Sequence, residues 1–267
     1  HQHTFDYDTL EARLRELAFL NKGLAITLHD ERSGKEETFK YDGGLAEFAQ
    51  YVNRLDDVLH VPIHIDRTLE GVVVEIAIQY TTGEEERARC YTNNAFNSIG
   101  GTHLVGFRTA LTRTLNAYGK ANNFFKDLVP TGDDLREGLT AIVAVRVPEP
   151  KFESQTKVRC LNNELEGIVS TVVGETLTKF LEENPKVAKI IVQKGILAAE
   201  AREAARAAKA RLRDRKNALC GGVMCQLAAS HAGRPSASFT RVQTTLLRSR
   251  PDQRAAPRRR PDRPRAT

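Results

Sequence analysis

The sequence predicts an α+β fold, and three observations carry that prediction. Residues Leu139 to Val147 are almost continuously apolar, as in a strand buried on both faces. Val74, Ile76 and Ile78 alternate with Glu75, Ala77 and Gln79, the two-residue period of a strand. From Leu165 to Leu181 the apolar residues fall close to i, i+3, i+4 and i+7, the period of a helix.

Along the chain, Leu10, Leu14, Leu17 and Ala18 predict a helix over 8–21, with Asp6 or Asp8 as its N-cap. Leu24 to Leu28 and Thr38 to Tyr41 predict a hairpin turning at Arg32-Ser33-Gly34. Gly43-Gly44 precedes a short helix with Leu45, Phe48, Ala49 and Val52 on one face. This helix–hairpin–helix unit is too small to bury its own apolar faces and reads as the end of a larger domain. Ile63 to Ile65, Val72 to Tyr80 and Arg87 to Thr92 follow as strands. Gly100-Gly101 opens a helix with Thr102 as its expected N-cap and Leu104, Phe107, Leu111, Leu115 and Tyr118 as its stripe. Pro148 and Pro150 end the strand that begins at Leu139. Asn184-Pro185 separates the Leu165–Leu181 helix from the next, since proline suits a first helical turn. That last helix runs into an Ala-, Arg- and Glu-rich stretch with no large apolar residue between Leu197 and Leu212, the composition of a protruding connector.

The net charge of +6 divides unevenly. Residues 221–267 hold ten arginines, no lysine and two acids, so the first 220 residues are slightly acidic. Bulk charge therefore excludes a basic nucleic-acid-binding body and leaves that role only to the tail. Five of the ten prolines lie there too, and so polar a segment is expected to be disordered. No run of residues has the length and apolarity of a membrane span. The four cysteines are scattered, which predicts thiols rather than a disulfide or zinc framework.

Several residues invite a chemical reading. Lys157, with Gln155 beside it in a polar loop, offers a compact cation and an amide donor that could meet a terminal phosphate. Read alone, a lysine in a polar loop is in most cases an ordinary surface residue. Gly100-Gly101-Thr102 is a tight strand-to-helix turn; no lysine follows the glycines as it does in a P-loop. His103 stands without a second ligand at metal spacing and reads as structural. Asp133, Asp134 and Glu137 suit a charged helical turn better than a Mg²⁺ site.

Four segments resemble one family. FDYDTLEARLRELAFLNKG (5–23), GGTHLVGFRTALTRTLNAY (100–118), TGDDLREGLTAIVAVRVPEPKF (131–152) and the Gln155-Thr156-Lys157 loop resemble the ATPase subunits of bacterial type IIA topoisomerases, in the gyrase form. The resemblance runs from about Thr4 to Leu219. It implies that residues 1–58 are the C-terminal part of a GHKL-type ATPase domain. Residues 59–205 would then be a ribosomal-protein-S5 domain 2-like transducer, 206–219 the end of a connector helix, and 220–267 a disordered tail. It implies that Gln155 and Lys157 contact the γ-phosphate of ATP, and that Arg108 and Arg113 line a cavity holding DNA. The implied cofactors are ATP and Mg²⁺, with their main binding residues expected before residue 1. The implied partners are double-stranded DNA, a gyrase A-type subunit and a second copy of the ATPase region, in the cytoplasm and away from membranes. On this reading the chain by itself is inactive.

Two departures accompany the resemblance. Ile99 stands where the family often has an acid, and after Leu219 the sequence turns abruptly to Ala, Arg, Pro and Ser. The joint loss of Lys and Glu is the pattern a shifted reading frame leaves in a GC-rich gene. Two other classes compete: a non-enzymatic interaction module using the helices after Leu161, and a nucleic-acid binder using the arginine-rich tail.

Overall fold

The computed structural model describes residues 5–125 and 128–231. Residues 1–212 form one compact unit, and the described part of the second, from Arg213, continues the last helix. The elements in order are α1 (Tyr7–Leu20), β1 (Ile26–Asp30), β2 (Lys35–Phe39), α2 (Gly44–Val52), β3 (Ile63–Leu69), β4 (Val72–Tyr80), β5 (Arg87–Thr92), β6 (Ala95–Phe96) and β7 (Gly100–Gly101). They continue with α3 (Thr102–Ala121), a 3₁₀ turn (Asp134–Arg136), β8 (Leu139–Arg146), β9 (Arg159–Cys160), α4 (Glu164–Glu183) and α5 (Pro185–His231).

A five-stranded sheet, ordered β3-β4-β8-β5-β6, organises the unit. β8 lies between β4, antiparallel to it, and β5, parallel to it. Side chains on one strand point alternately to opposite faces, so β4, β5 and β8 each feed two cores. On one face, Val74, Ile76 and Ile78 of β4 and Leu139, Ala141, Val143 and Val145 of β8 pack with Phe107 and Leu111 of α3 and Val169 and Val173 of α4. On the other face, Ala77, Tyr91 and Ile142 meet Phe19 and Leu20 of α1 and Leu45, Phe48 and Ala49 of α2. The helix–hairpin–helix unit thus buries its apolar side against the back of the sheet. That second core explains the near-continuous apolarity of residues 139–147.

α1 starts where expected, with the Asp6 carboxylate accepting from the Thr9 amide at 3.1 Å. Its buried residues are Ala18, Phe19 and Leu20, at its C-terminal end, whereas Leu10 is exposed. α3 departs from expectation at its start. Gly101, not Thr102, is the N-cap, and the Thr102 hydroxyl donates to the Asn162 carbonyl at 2.6 Å. A Cβ at Gly101 would collide with the Cys160 carbonyl, because β7 and β9 pair there in parallel. A Cβ at Gly106 would strike the Glu166 backbone, so that glycine sets how closely α3 and α4 approach. Apart from the partly buried Phe180, the apolar stripe of α4 lies within the core. It is therefore not available to a partner, which leaves the interaction-module reading only α5 for apolar contact, where Leu197 and Leu212 are exposed.

Between α2 and β3 the chain is fixed by a buried polar network. Asn53 Nδ2 donates to Gln79 Oε1 at 2.9 Å, Gln79 Nε2 to the His60 carbonyl at 3.0 Å, and the Thr140 hydroxyl to Asn53 Oδ1 at 2.7 Å. His60 Nε2 accepts from the Tyr80 amide at 3.1 Å, so the other ring nitrogen carries the proton and faces the Val61 carbonyl. Burial holds its pKa below the ordinary imidazole value.

α5 continues helically to His231. Residues 220–231 are therefore helical rather than disordered, in keeping with the alanines, leucine, methionine and glutamine that outnumber the two glycines there. The remainder of the expected disordered tail, 232–267, lies outside the described residues. Among the described residues no helix is long and apolar enough to cross a membrane.

Beside its buried Ala188, Ile191 and Val192, α5 is tied by two polar contacts to the loop after β4 and to the 3₁₀ turn. Lys194 Nζ donates to the Gly83 carbonyl at 2.8 Å, and Arg202 Nε to Asp134 Oδ1 at 2.9 Å. Asp134 is buried and also accepts from the Thr131 amide and hydroxyl, at 2.7 and 2.8 Å. Burial alone would raise its carboxyl pKa, but Arg202 and Thr131 outweigh it and hold the group below the usual carboxylate range. A lowered pKa adds stability above the unfolded value of about 4 that is lost as pH falls through the folded one. Asp134→Asn is expected to destabilise the protein by about 1–3 kcal/mol at pH 7. In urea melts the gap to the parent should narrow below about pH 4; a gap independent of pH would refute the ion-pair account.

Candidate functional site

Gln155 and Lys157 lie at the tip of a hairpin that the sequence presents only as a polar loop. The Leu161 amide donates to the Lys151 carbonyl at 2.8 Å and the Glu153 amide to the Arg159 carbonyl at 3.1 Å, with Phe152 opposite Cys160. The Lys157 amide closes the turn on the Ser154 carbonyl at 3.0 Å, and the Ser154 and Thr156 hydroxyls pair at 2.7 Å. Residues 153–157 are exposed.

Lys157 has φ +56°, a left-handed conformation that is uncommon for a residue with a Cβ. Asn97 holds it there. The buried Asn97 side chain donates to the Lys157 carbonyl at 2.7 Å and accepts from the Thr92 hydroxyl at 2.7 Å. One residue on, the Val158 carbonyl accepts from the Ile99 amide at 3.0 Å. The Lys157 ammonium lies 5.6 Å from the Phe152 ring centroid and has no carboxylate partner among the described residues. Gln155 makes no hydrogen bond among those described. Two donors are thus presented to solvent from a braced tip, which suits contact with an anion but does not enclose one.

Asn162 anchors the hairpin's base. Its Oδ1 accepts from the Lys151 amide at 2.6 Å, and its Nδ2 donates to the Glu149 carbonyl at 3.0 Å and to Glu164 at 2.7 Å. Neither Asn97 nor Asn162 stands out in the sequence. A local clue is Asn93-Asn94, whose positive φ angles of 48° and 63° form the turn that places Asn97.

Arg108 and Arg113 do not join this site. Five residues apart on α3, they are separated by roughly 140° around the helix. The Arg108 guanidinium donates to Glu86 at 2.8 Å, and the same carboxylate accepts from Arg136 at 3.3 Å. Arg113 is exposed, with Ser170 at 3.5 Å. It lines a groove of about 720 Å³ between α3 and α4, where Lys179, Glu175 and Glu182 balance its charge.

His103 is fully buried, and neither ring nitrogen has a partner. Burial pushes its pKa down to about 4. Among the described residues no three His, Cys, Asp or Glu side chains could together hold a metal. Cys90 and Cys160 are buried free thiols, and burial pushes the Cys90 thiol up to about 12. A buried neutral histidine binds no proton until well below the pH at which the unfolded chain does. Stability is therefore complete above about pH 6.5 and falls by about 3 kcal/mol on acidification towards pH 4. His103→Leu is expected to flatten this part of the Tm-against-pH curve. An unchanged slope between pH 4 and 6.5 would assign the acid sensitivity elsewhere.

The sequence model of the family described as DNA gyrase B matches residues 44–211. The gyrase B protein of Clostridium acetobutylicum is 47% identical over 209 residues, covering 77% of this chain and 33% of that protein. Its counterpart in Halalkalibacterium halodurans is 48% identical over 219 residues, covering 80% and 34%. The chain thus spans about a third of the length of these relatives. The crystal structure of the 43K ATPase domain of Thermus thermophilus gyrase B, in complex with an aminocoumarin, matches with a TM-score of 0.71 at 42% identity. That match covers 78% of this chain and 57% of the other.

Proposed function

The chain belongs to the DNA gyrase B family, and from that premise we propose that it is part of the ATPase subunit of a type II DNA topoisomerase, in which Gln155 and Lys157 sense the nucleotide. Residues 1–58 are read as the end of the GHKL-type ATPase domain and 59–205 as the transducer. The observation that carries the proposal is the hairpin tip: an ammonium without a carboxylate partner, on a backbone conformation held by Asn97. Lys157 offers a compact positive charge and Gln155 an amide donor. ATP would supply the terminal phosphate that both donors meet. Because the tip is braced against β7 and the start of α3, gain or loss of that contact would bias the position of the whole sheet-and-helix body.

Family membership supports the remaining roles. Mg²⁺ would accompany ATP on residues outside the described ones. Duplex DNA, a gyrase A-type subunit and a second copy of the ATPase region would be the partners, in the cytoplasm. Arg113, exposed on α3, fits a DNA-facing role better than Arg108, whose fork Glu86 already occupies.

The test uses the full-length subunit carrying this sequence. Lys157→Asn removes the ammonium but keeps a residue that tolerates φ +56°. It is expected to lower ATP turnover by about 10²-fold with thermal unfolding unchanged, and Gln155→Ala to lower it less. Turnover within twofold of the parent in a folded Lys157→Asn subunit would overturn the assignment.

A further inference from the structure

We propose that the groove between α3 and α4 is a self-complementary surface on which a second copy of this chain docks, antiparallel, about a two-fold axis. Two recesses of about 720 and 420 Å³ share Thr114, Ala117, Thr178 and Glu182, so they form one continuous groove. α3 and α4 run along it in the same direction. Gly106 abuts the Glu166 backbone near the start of both helices, and a Cβ at Gly174 would meet the Arg113 guanidinium at 3.2 Å further on. Ala117 and Ala121 of α3, and Gly174 and Thr178 of α4, border the groove. Each pair is spaced i, i+4 on one helix face, and such small side chains let another helix approach closely.

The charges name the occupant. Glu175 accepts from Arg67 at 2.6 Å, and Lys179 lies 3.8 Å from Glu183. The other two charged groups on the groove, Arg113 and Glu182, have no ion-pair partner among the described residues. Arg113 sits level with Gly174, and Glu182 follows Gly174 by two turns of α4, about 12 Å along its axis. A free cation thus marks one end of the groove and a free anion the other. A two-fold axis through the midpoint, at Ala117 and Thr178, brings each Arg113 to the partner's Glu182 and leaves only small side chains on the axis. Such reciprocity is the condition of an isologous interface.

Thr114 is independent support. It is 6% exposed, borders both recesses, and its hydroxyl has no hydrogen-bond partner among the described residues. Thr171 and Thr178 donate theirs to carbonyls one turn back, at 3.0 and 2.6 Å. The Thr114 hydroxyl lies beside Arg113, where the partner's Glu182 would arrive and accept from it. Docking would satisfy a group that burial has left unpaired. An arginine cannot hold a phosphate and the partner's Glu182 together, so on the proposed DNA-facing role of Arg113 the pairing belongs to the DNA-free chain. The surface lies outside residues 1–58 and uses neither Gln155 nor Lys157.

The test is sedimentation equilibrium of the 267-residue chain, without DNA or nucleotide. A reversible dimer with Kd in about the micromolar range is expected, since the paired faces are small beside a standard interface. Arg113→Glu and Glu182→Arg each set like charges opposite one another twice, and each should weaken the dimer at least about tenfold. Mixed in equal amounts, the two variants should form a heterodimer within a few-fold of the parent's affinity, because each then offers the charge the other lacks. The double variant should pair with itself for the same reason. Both side chains are exposed, so the variants should melt within a few degrees of the parent. Thr114→Val is the second probe: it removes a hydroxyl that nothing in the single chain uses, so it should leave the melt unchanged or raise it while weakening the dimer several-fold. Monomer alone at concentrations up to about 1 mM, single reversals that leave association unchanged, or a mixture no tighter than either variant by itself would overturn the proposal.

Discussion

Two-sided burial of β4 and β8 is the constraint on which the other features rest. Leu139, Ala141, Val143 and Val145 must face α3 and α4 while Ile142 faces α1 and α2. A slip of one residue would exchange these sets and present the small second core with the large side chains of the first. The register of β8 therefore also fixes β5, its parallel neighbour, and through β6 and β7 the start of α3. The hairpin tip depends on that register, because β7 braces it.

Apolar packing does not by itself say where the segment between α2 and β3 must run. Asn53, Gln79, His60 and Thr140 specify it, since each buried donor or acceptor in the network finds its partner in one arrangement. A polar network of this kind is tolerable only when satisfied, because an orphaned amide in low dielectric costs more than the bond contributes. His103 shows the alternative. It has no partner at all, and it stays buried by remaining neutral.

Periodicity makes most of the fold legible. The strands around Val74 and Val143 and the helices around Leu111 and Val172 lie where alternating or helical spacing puts them, because burial on a regular element leaves a regular trace. Short elements leave none. β6, β7 and β9 have two residues each and exist through pairing with distant chain, so residues 151–161 read as a loop. The cap of α3 lies one residue before the expected position for a related reason: Thr102 has the chemistry of an N-cap, but the Asn162 carbonyl engages its hydroxyl. Residues 220–231 are helical against expectation, because the average composition of the tail hides a local run able to continue a helix. At the site, Gln155 and Lys157 are visible through resemblance. Asn97 and Asn162 are not, because their partners are backbone groups 60 and 11 residues away.

The conformation of Lys157 bears on function in its own right. Glycine would occupy φ +56° more cheaply, and an asparagine nearly so. A lysine there sacrifices of order 1 kcal/mol of backbone preference, and the fold offsets that through Asn97 rather than avoiding it. Nothing in the packing asks for a lysine: the side chain is exposed, it forms no ion pair among the described residues, and its contact with Phe152 is a long one. Strain retained without a packing return is an argument from geometry to function. The retained feature here is a positive charge aimed outward from a braced turn, which is what recognition of an anion by a separate body requires.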